Sequence, residues 1–251
     1  MNFKRVVSFR PKGGAAERVR DWTAPLKEKG IELVELPLLE VVSALRGSDP
    51  LAGVEKGSWL LFTSANAVWF TLPFLDNRDF PLACIGEQTA ALLREQGRSA
   101  QFVPGRADGK SFAAELVPIL REITPVPACV FLRGRVVSPH LAAGLKEAGI
   151  HVEEIIVYES RPITPPPVGL GILREHAGAS DTALIFTSSE SLRELLESAE
   201  VWELDLEKLR ANPCFAIGPE TERSLRDAAF SVVQVAEHAS LEALVDKILG
   251  K

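Results

Sequence analysis

Apolar and polar positions along this chain follow two alternating rhythms. Short unbroken apolar runs of strand length are separated by stretches in which apolar residues recur every three or four positions. KRVVSF (4–9) reads as a buried strand. Ala15, Val19, Trp22 and Leu26 then follow at spacings of four, three and four, which lays one apolar stripe along a helix. Gly30 stops that helix and IELVEL begins another strand. The pattern continues with SWLLF and a helix from about Ser64, PLACI and a helix from Glu87 to Gln96, then AQFV and a helix near 111–121. Strands alternating with helices of about ten to fifteen residues predict crossover units and parallel sheets.

The second half of the chain repeats the first. VSFRP (7–11) returns as VFLRG (130–134), and LKEKGIELVE (26–35) as LKEAGIHVEE (145–154). LLFTSANAV (60–68) returns as LIFTSSESL (184–192), CIGEQTAALL (84–93) as AIGPETERSL (216–225), and FAAELVPIL (112–120) as LEALVDKIL (241–249). The offsets between first positions are 123, 119, 124, 132 and 129 residues. Five matches in one order at nearly constant offset describe a duplicated α/β unit.

Two segments interrupt the pattern at matching places. RPITPPPVG (161–169) is the one proline-rich stretch, and its prolines hold an extended, semi-rigid connection. LPLLEVVSAL (36–45) is its counterpart in the first repeat, an apolar run long enough to be an extended connector. Two connectors suggest two crossings between two lobes, without fixing which half-repeats share a lobe.

Composition narrows the chemistry. The chain has 251 residues, and its 28 Lys+Arg against 34 Asp+Glu give a net charge of −6, with no basic run. Such a chain is a poor prospect for nucleic acid or an anionic membrane. No segment approaches the roughly 18 apolar residues of a membrane span, and the N-terminus lacks the apolar core of a signal peptide. A cytoplasmic protein is expected. Cys84, Cys129 and Cys214 sit in apolar surroundings without CxxC spacing, which predicts three buried strand cysteines. His140, His151, His176 and His238 form no ligand-spaced pair, so no metal site is expected. GxGxxG, P-loop and GxSxG motifs are absent.

What remains lies at strand-to-helix turns. Phe62-Thr63-Ser64 and Phe186-Thr187-Ser188 each stand where a buried strand ends and a helix begins. Their hydroxyls suit helix capping, and Thr187 with Glu190 fits a capping box. The same helix N-termini, with free N–H groups and partial positive charge, suit a carboxylate or phosphate. Gly86-Glu87-Gln88-Thr89 and Gly218-Pro219-Glu220-Thr221 occupy two more such turns, where glycine permits a tight turn or a close ligand approach. Pro219 suits a first helical position. Arg10, Lys12, Arg133 and Arg135 follow the first strand of each repeat, either solvated or facing an anionic ligand. Glu153-Glu154 reads as a solvated strand edge. Tyr158, the only tyrosine in the chain, opens the second connector. Its ring either packs there with the hydroxyl in water or presents a phenol to a cleft as a proton donor.

Taken together, FRP near the N-terminus, GIELVELPLLEV, FTSANAV, CIGEQTAALLREQG, GIHVEEIIVYES, IFTSSES and AIGPETERSL resemble, in order, the uroporphyrinogen-III synthase family. The resemblance covers nearly all of the chain. It implies an α/β fold of two similar parallel-sheet domains joined by a two-stranded connector, with a ligand cleft between them. On that basis 1–36 plus 163–251 form one domain, 44–155 the other, and 37–43 and 156–162 the connecting strands.

The resemblance also implies a cofactor-independent cyclising lyase acting on hydroxymethylbilane. The enzyme would dehydrate it to an azafulvene and close the ring through a spiro intermediate that inverts the last pyrrole. Tyr158 matches the family's tyrosine and would assist departure of the hydroxyl. Arg10, Thr63, Ser64, Asn66, Gly86, Thr89, Arg133, Gly134, Thr187, Ser188, Gly218, Pro219 and Thr221 would hold the acetate and propionate arms. Glu220 departs from the small or hydroxyl residue expected after Gly-Pro. A monomer supplied by the preceding pathway enzyme is expected, with no cofactor, metal, nucleic acid or membrane. The alternative is a non-catalytic two-lobe binding protein for a small polyanionic metabolite.

Overall fold

The computed structural model describes residues 3–18, 21–76, 78–231 and 233–251. In chain order the first elements are β1 (Arg5–Ser8), β2 (Lys12–Gly13), a 3-10 turn (Gly14–Arg18), α1 (Ala24–Glu28), β3 (Glu32–Glu35) and β4 (Leu39–Ser43). Next come β5 (Trp59–Phe62), α2 (Ala65–Thr71), β6 (Leu82–Cys84), α3 (Gly86–Glu95), α4 (Gly109–Arg121), β7 (Cys129–Gly134), α5 (His140–Glu147) and β8 (Val152–Pro162). The last are α6 (Pro167–Glu175), β9 (Thr182–Phe186), α7 (Ser189–Ser198), α8 (Leu206–Leu209), β10 (Cys214–Ala216), α9 (Pro219–Asp227), β11 (Val233–Val235) and α10 (Leu241–Leu249).

The strands form two sheets, in the orders β11-β10-β9-β1-β3 and β2-β4-β8-β7-β5-β6. The pairings of β1 with β3 and β9, of β10 with β9 and β11, and of β5–β6, β5–β7 and β7–β8 are all parallel. The chain divides into two compact units, residues 1–40 with 161–251, and residues 41–160. It passes between them twice, along the adjacent strands β4 and β8. The hydrogen bonds Ala44 N–H to Val157 C=O and Ile163 N–H to Leu38 C=O, both 3.0 Å, pair those two strands in opposite directions.

Four of the five sequence matches occupy equivalent sheet positions, and the fifth pairs the helices α4 and α10. The run β10-β9-β1-β3 in one sheet corresponds to β6-β5-β7-β8 in the other, and the parallel bridge Ala83–Phe102 stands where β11 joins β10. A structural unit is nonetheless not a sequence repeat. The first repeat contributes its residues up to 40, with β1, α1 and β3, to one unit and its remainder to the other.

Parallel strands covered on both faces must be apolar throughout, and β5, β6, β9 and β10 are buried along their whole length. In the first unit Val6, Ala183, Ile185 and Phe215 pack on one side with Leu26 and Ile248, while Val7, Leu184, Phe186 and Cys214 pack on the other with Leu36 and Leu192. In the second unit Leu61, Phe131 and Cys129 pack beneath Phe112, Leu116, Leu141 and Leu145. The three cysteines are free and buried on β6, β7 and β10. Burial pushes the thiols of Cys84 and Cys129 up to about 11 and about 12, and that of Cys214 upward as well. All three are therefore inert thiols. Among the described residues no helix is long and apolar enough to cross a membrane.

The first helix differs from expectation. The stripe Ala15, Val19, Trp22, Leu26 is not one helix: a 3-10 turn covers Gly14–Arg18 and α1 begins only at Ala24, while Val19 lies outside the described residues. Trp22 and Leu26 are buried as their spacing implies. Pro25 supplies the reason, since it fits a first helical turn but would break a continuous helix through 15–28.

Candidate functional site

In an open parallel sheet the ligand-binding edge is the one where the strands' C-terminal ends open into helices. The second unit places Thr63, Ser64 and Asn66 after β5, Gly86 and Thr89 after β6, Arg133 and Gly134 at the end of β7, and Tyr158 on β8. These four strands are neighbours in one sheet. The first unit places Arg10 after β1, Thr187 and Ser188 after β9, and Gly218, Pro219 and Thr221 after β10. Each unit thus gathers its own set of candidate residues along one sheet edge.

Ser64 and Ser188 do the same local work. Each is an extended N-cap whose Oγ accepts the N–H three residues on, Ala67 and Ser191 respectively, both at 3.2 Å. The cap of α7 is therefore Ser188, one residue beyond the Thr187–Glu190 box expected, because Ser188 has the extended backbone that a cap requires. Ser188→Ala is expected to cost about 1 kcal/mol of stability; urea unfolding checks it, and an unchanged midpoint would count against the cap.

The two glycine turns are not equivalent. Gly86 has φ +72°, which favours glycine. Gly218 is an extended N-cap at φ −168°, a conformation open to any residue, and nothing lies within 4 Å of where a Cβ would stand. Open space in front of the backbone, rather than a turn, is what glycine provides there. Pro219 occupies the first helical position of α9. Thr89 and Thr221 are 4% and 5% exposed, so little of either side chain reaches solvent.

The arginines divide. Arg133 Nε lies 2.9 Å from Glu154 Oε2, without the alignment of a hydrogen bond, while its Nη1 donates to the carbonyls of Gly134 and Arg135. Glu154 also binds Lys146 at 2.7 Å. The Lys146 hydrogen bond, then the charges of Lys146 and Arg133, hold its carboxyl below the usual range. Glu154 is thus not the solvated edge its neighbour Glu153 suggests, and Arg133 is committed to its own sheet.

Arg10 is different. Its guanidinium donates to the Ala16 carbonyl, lies 6.0 Å from the centre of the Trp22 ring, and lines a cavity of about 220 Å³ with Ser8, Lys12 and Glu35. Burial lowers the Arg10 pKa, with the Glu35 charge opposing. Ser8, buried on β1, also lines this cavity, and its buried hydroxyl has no hydrogen-bond partner among the described residues. The sequence pattern offered no sign of Ser8, which reads simply as a strand residue.

Tyr158 is the best-organised group. Its hydroxyl lies 3.0 Å from Ser64 Oγ, and either oxygen can donate. Its ring stacks near Phe70, with centroids 6.2 Å apart and planes 20° from parallel. Ser64 caps α2 and Phe70 belongs to it, so a single helix fixes both the hydroxyl and the ring. Ser64 already accepts the Ala67 N–H; when it donates to the phenol, the phenolic proton is directed at another acceptor. The arrangement suits donation to a departing oxygen. Phe70 escaped the sequence reading, in which it looked like one more apolar helix residue.

Known proteins resemble the chain over most of its length. A Synechococcus elongatus protein named uroporphyrinogen-III synthase is 28% identical over 252 residues, covering 92% of this chain and 90% of its own. A Ruminiclostridium josui porphyrin biosynthesis protein HemD is 23% identical over 98% of this chain, which spans about half, 48%, of that relative's length. Among solved structures, uroporphyrinogen-III synthetase from Helicobacter pylori matches at a TM-score of 0.64 with 21% identity, over 100% of this chain and 99% of that one. A mutant uroporphyrinogen III synthase from Thermus thermophilus matches at 0.63 with 19% identity, over 98% and 97%. These two likenesses concern the fold. The family model described as uroporphyrinogen-III synthase HemD matches residues 20–246, nearly the whole chain, and the protein belongs to that family.

Proposed function

We infer that the protein closes hydroxymethylbilane to uroporphyrinogen III with loss of water, as a step of porphyrin biosynthesis. The family match over residues 20–246 carries this reading. The C–O bond of the terminal hydroxymethyl group breaks and the oxygen leaves as water, giving an azafulvene. Its methylene carbon then bonds to the substituted carbon of the last pyrrole, forming a spiro centre whose rearrangement inverts that ring. The net change is loss of one water with no gain or loss of electrons, so a cofactor-free reaction suffices.

In this reading Tyr158, held by Ser64 and Phe70, donates to the departing hydroxyl. The capped helix N-termini after β5 and β9, with the glycine turns at Gly86 and Gly218, receive carboxylate arms through backbone N–H groups. Arg10 supplies a further cation to the first unit. Unaided closure gives the wrong isomer, so the protein's contribution is positioning, which can supply several kcal/mol. Action as a monomer on substrate delivered by the preceding pathway enzyme goes with this reading.

The test is to give the purified protein fresh hydroxymethylbilane and separate the product isomers. The type III isomer is expected in excess. Type I alone, as in the blank, would overturn the reading, and tight binding without isomer control would favour the non-catalytic binder.

A further inference from the structure

Within the second unit the pairing of β7 with β8 does not keep one register. Arg133 pairs with Ile156, but the next residue, Gly134, pairs with Tyr158, so Val157 is passed over. Such a bulge re-aims the side chains beyond it. Regular pairing would set Val157 opposite Gly134. Instead Val157 is fully buried and the partly buried Tyr158 takes that place.

Gly134 is a glycine for a reason unrelated to its backbone. It is buried at the end of β7, and a Cβ there would stand 2.7 Å from Tyr158 Cζ, 2.9 Å from its hydroxyl oxygen and 3.0 Å from Cε2. Real Cβ atoms do not approach so closely, so the ring occupies the volume a side chain would need. The atoms in the way belong to the ring's outer end, and none of the three closest is backbone. A methyl group at 134 would therefore displace the phenol from Ser64 while leaving β7 in place.

We propose that Gly134 is a positioning residue: the bulge turns Tyr158 toward it, and its missing side chain makes the slot that holds the phenol on Ser64. The proposal rests on the reading of Tyr158 as the proton donor. It replaces the substrate-arm role that the family resemblance implied for Gly134. Phe70 stacks near the ring, Ser64 lies at the hydroxyl and Gly134 lies against the ring's outer end, so three named groups surround the phenol.

Because Tyr158 is the only tyrosine, protein grown on fluorotyrosine carries one reporter at this position. Gly134→Ala is expected to move its fluorine resonance. It should also lower kcat by about tenfold to a hundredfold at nearly constant KM, as a misplaced catalytic group does. In the Tyr158→Phe background, the same change should cost less than about twofold, since groups acting as one unit are not additive. Equal losses in both backgrounds, a raised KM with unchanged kcat, or an unmoved resonance would each overturn the proposal.

If Gly134→Ala lowers the melting temperature, combining it with Tyr158→Leu should restore that of the Tyr158→Leu single variant. Failure to do so would show that something other than the ring opposes the methyl group, and would also overturn it. The resonance and melting readouts do not depend on the reaction. A wild-type protein yielding only the type I isomer would defeat the functional reading while leaving the slot itself to be judged by those two measurements.

Discussion

Tyr158→Phe should lower kcat by about two to four orders of magnitude, the usual contribution of a positioned proton donor, while KM changes little. The substitution removes one oxygen and keeps the ring, so the stack with Phe70 survives while the contact with Ser64 Oγ is lost. Phe at this position still excludes water and still occupies the slot at Gly134. Ser64 retains its cap on Ala67 N–H, so α2 should be undisturbed. Steady-state rates and isomer ratios with fresh hydroxymethylbilane measure the effect. A slowed reaction that still yields the type III isomer would assign the phenol to hydroxyl departure and the choice of isomer to the rest of the site. A wild-type rate would return Tyr158 to packing.

Phe186→Ala should cost the fold about 3–5 kcal/mol, the range for truncating a buried aromatic. Phe186 ends β9 with no exposed surface, stacked on Phe9 at 4.7 Å and set edge-on to Phe230 at 6.0 Å. Leu184, Leu192 and Leu225 are buried in the same core and already packed there. The next two residues are Thr187 and Ser188, so a collapse here would also disturb the cap of α7. Guanidinium unfolding followed by circular dichroism tests this, and a loss below about 1 kcal/mol would mean that the core repacks far more freely than these contacts allow.

The alternation of strands and helices was legible because burial on both faces of a parallel sheet forces unbroken apolar runs, as in WLLF and TALIF. The helix starts at Ser64 and Pro219 were legible because capping is a local event among residues a few positions apart. The first helix was misread where a longer apolar period hid Pro25, and the α7 cap where Thr187 and Ser188 offer nearly the same chemistry.

What could not be read was set by distance along the chain. Ser64 and Tyr158 are 94 positions apart, and only the adjacency of β5, β7 and β8 brings their oxygens together. Nothing local to VFLRG announces a bulge, and the empty side of Gly134 becomes meaningful only once Tyr158 stands against it. Likewise Arg133 and Arg10 look alike as arginines after a first strand. Glu154 and Lys146 engage one cluster, and a cavity borders the other.

The two passages of the chain between units have a consequence for synthesis. β1 lies between β3 and β9, and its partner β9 belongs to the last third of the chain. Residues 41–160 leave the ribosome as one uninterrupted stretch and can condense during translation. Residues 1–40, made before 41–160, must wait for 161–251 before β1 gains its partner β9 and the core around it is complete. Of the two units, the one whose synthesis opens first is therefore the last to close, and its early strands stay uncovered while the other unit is made.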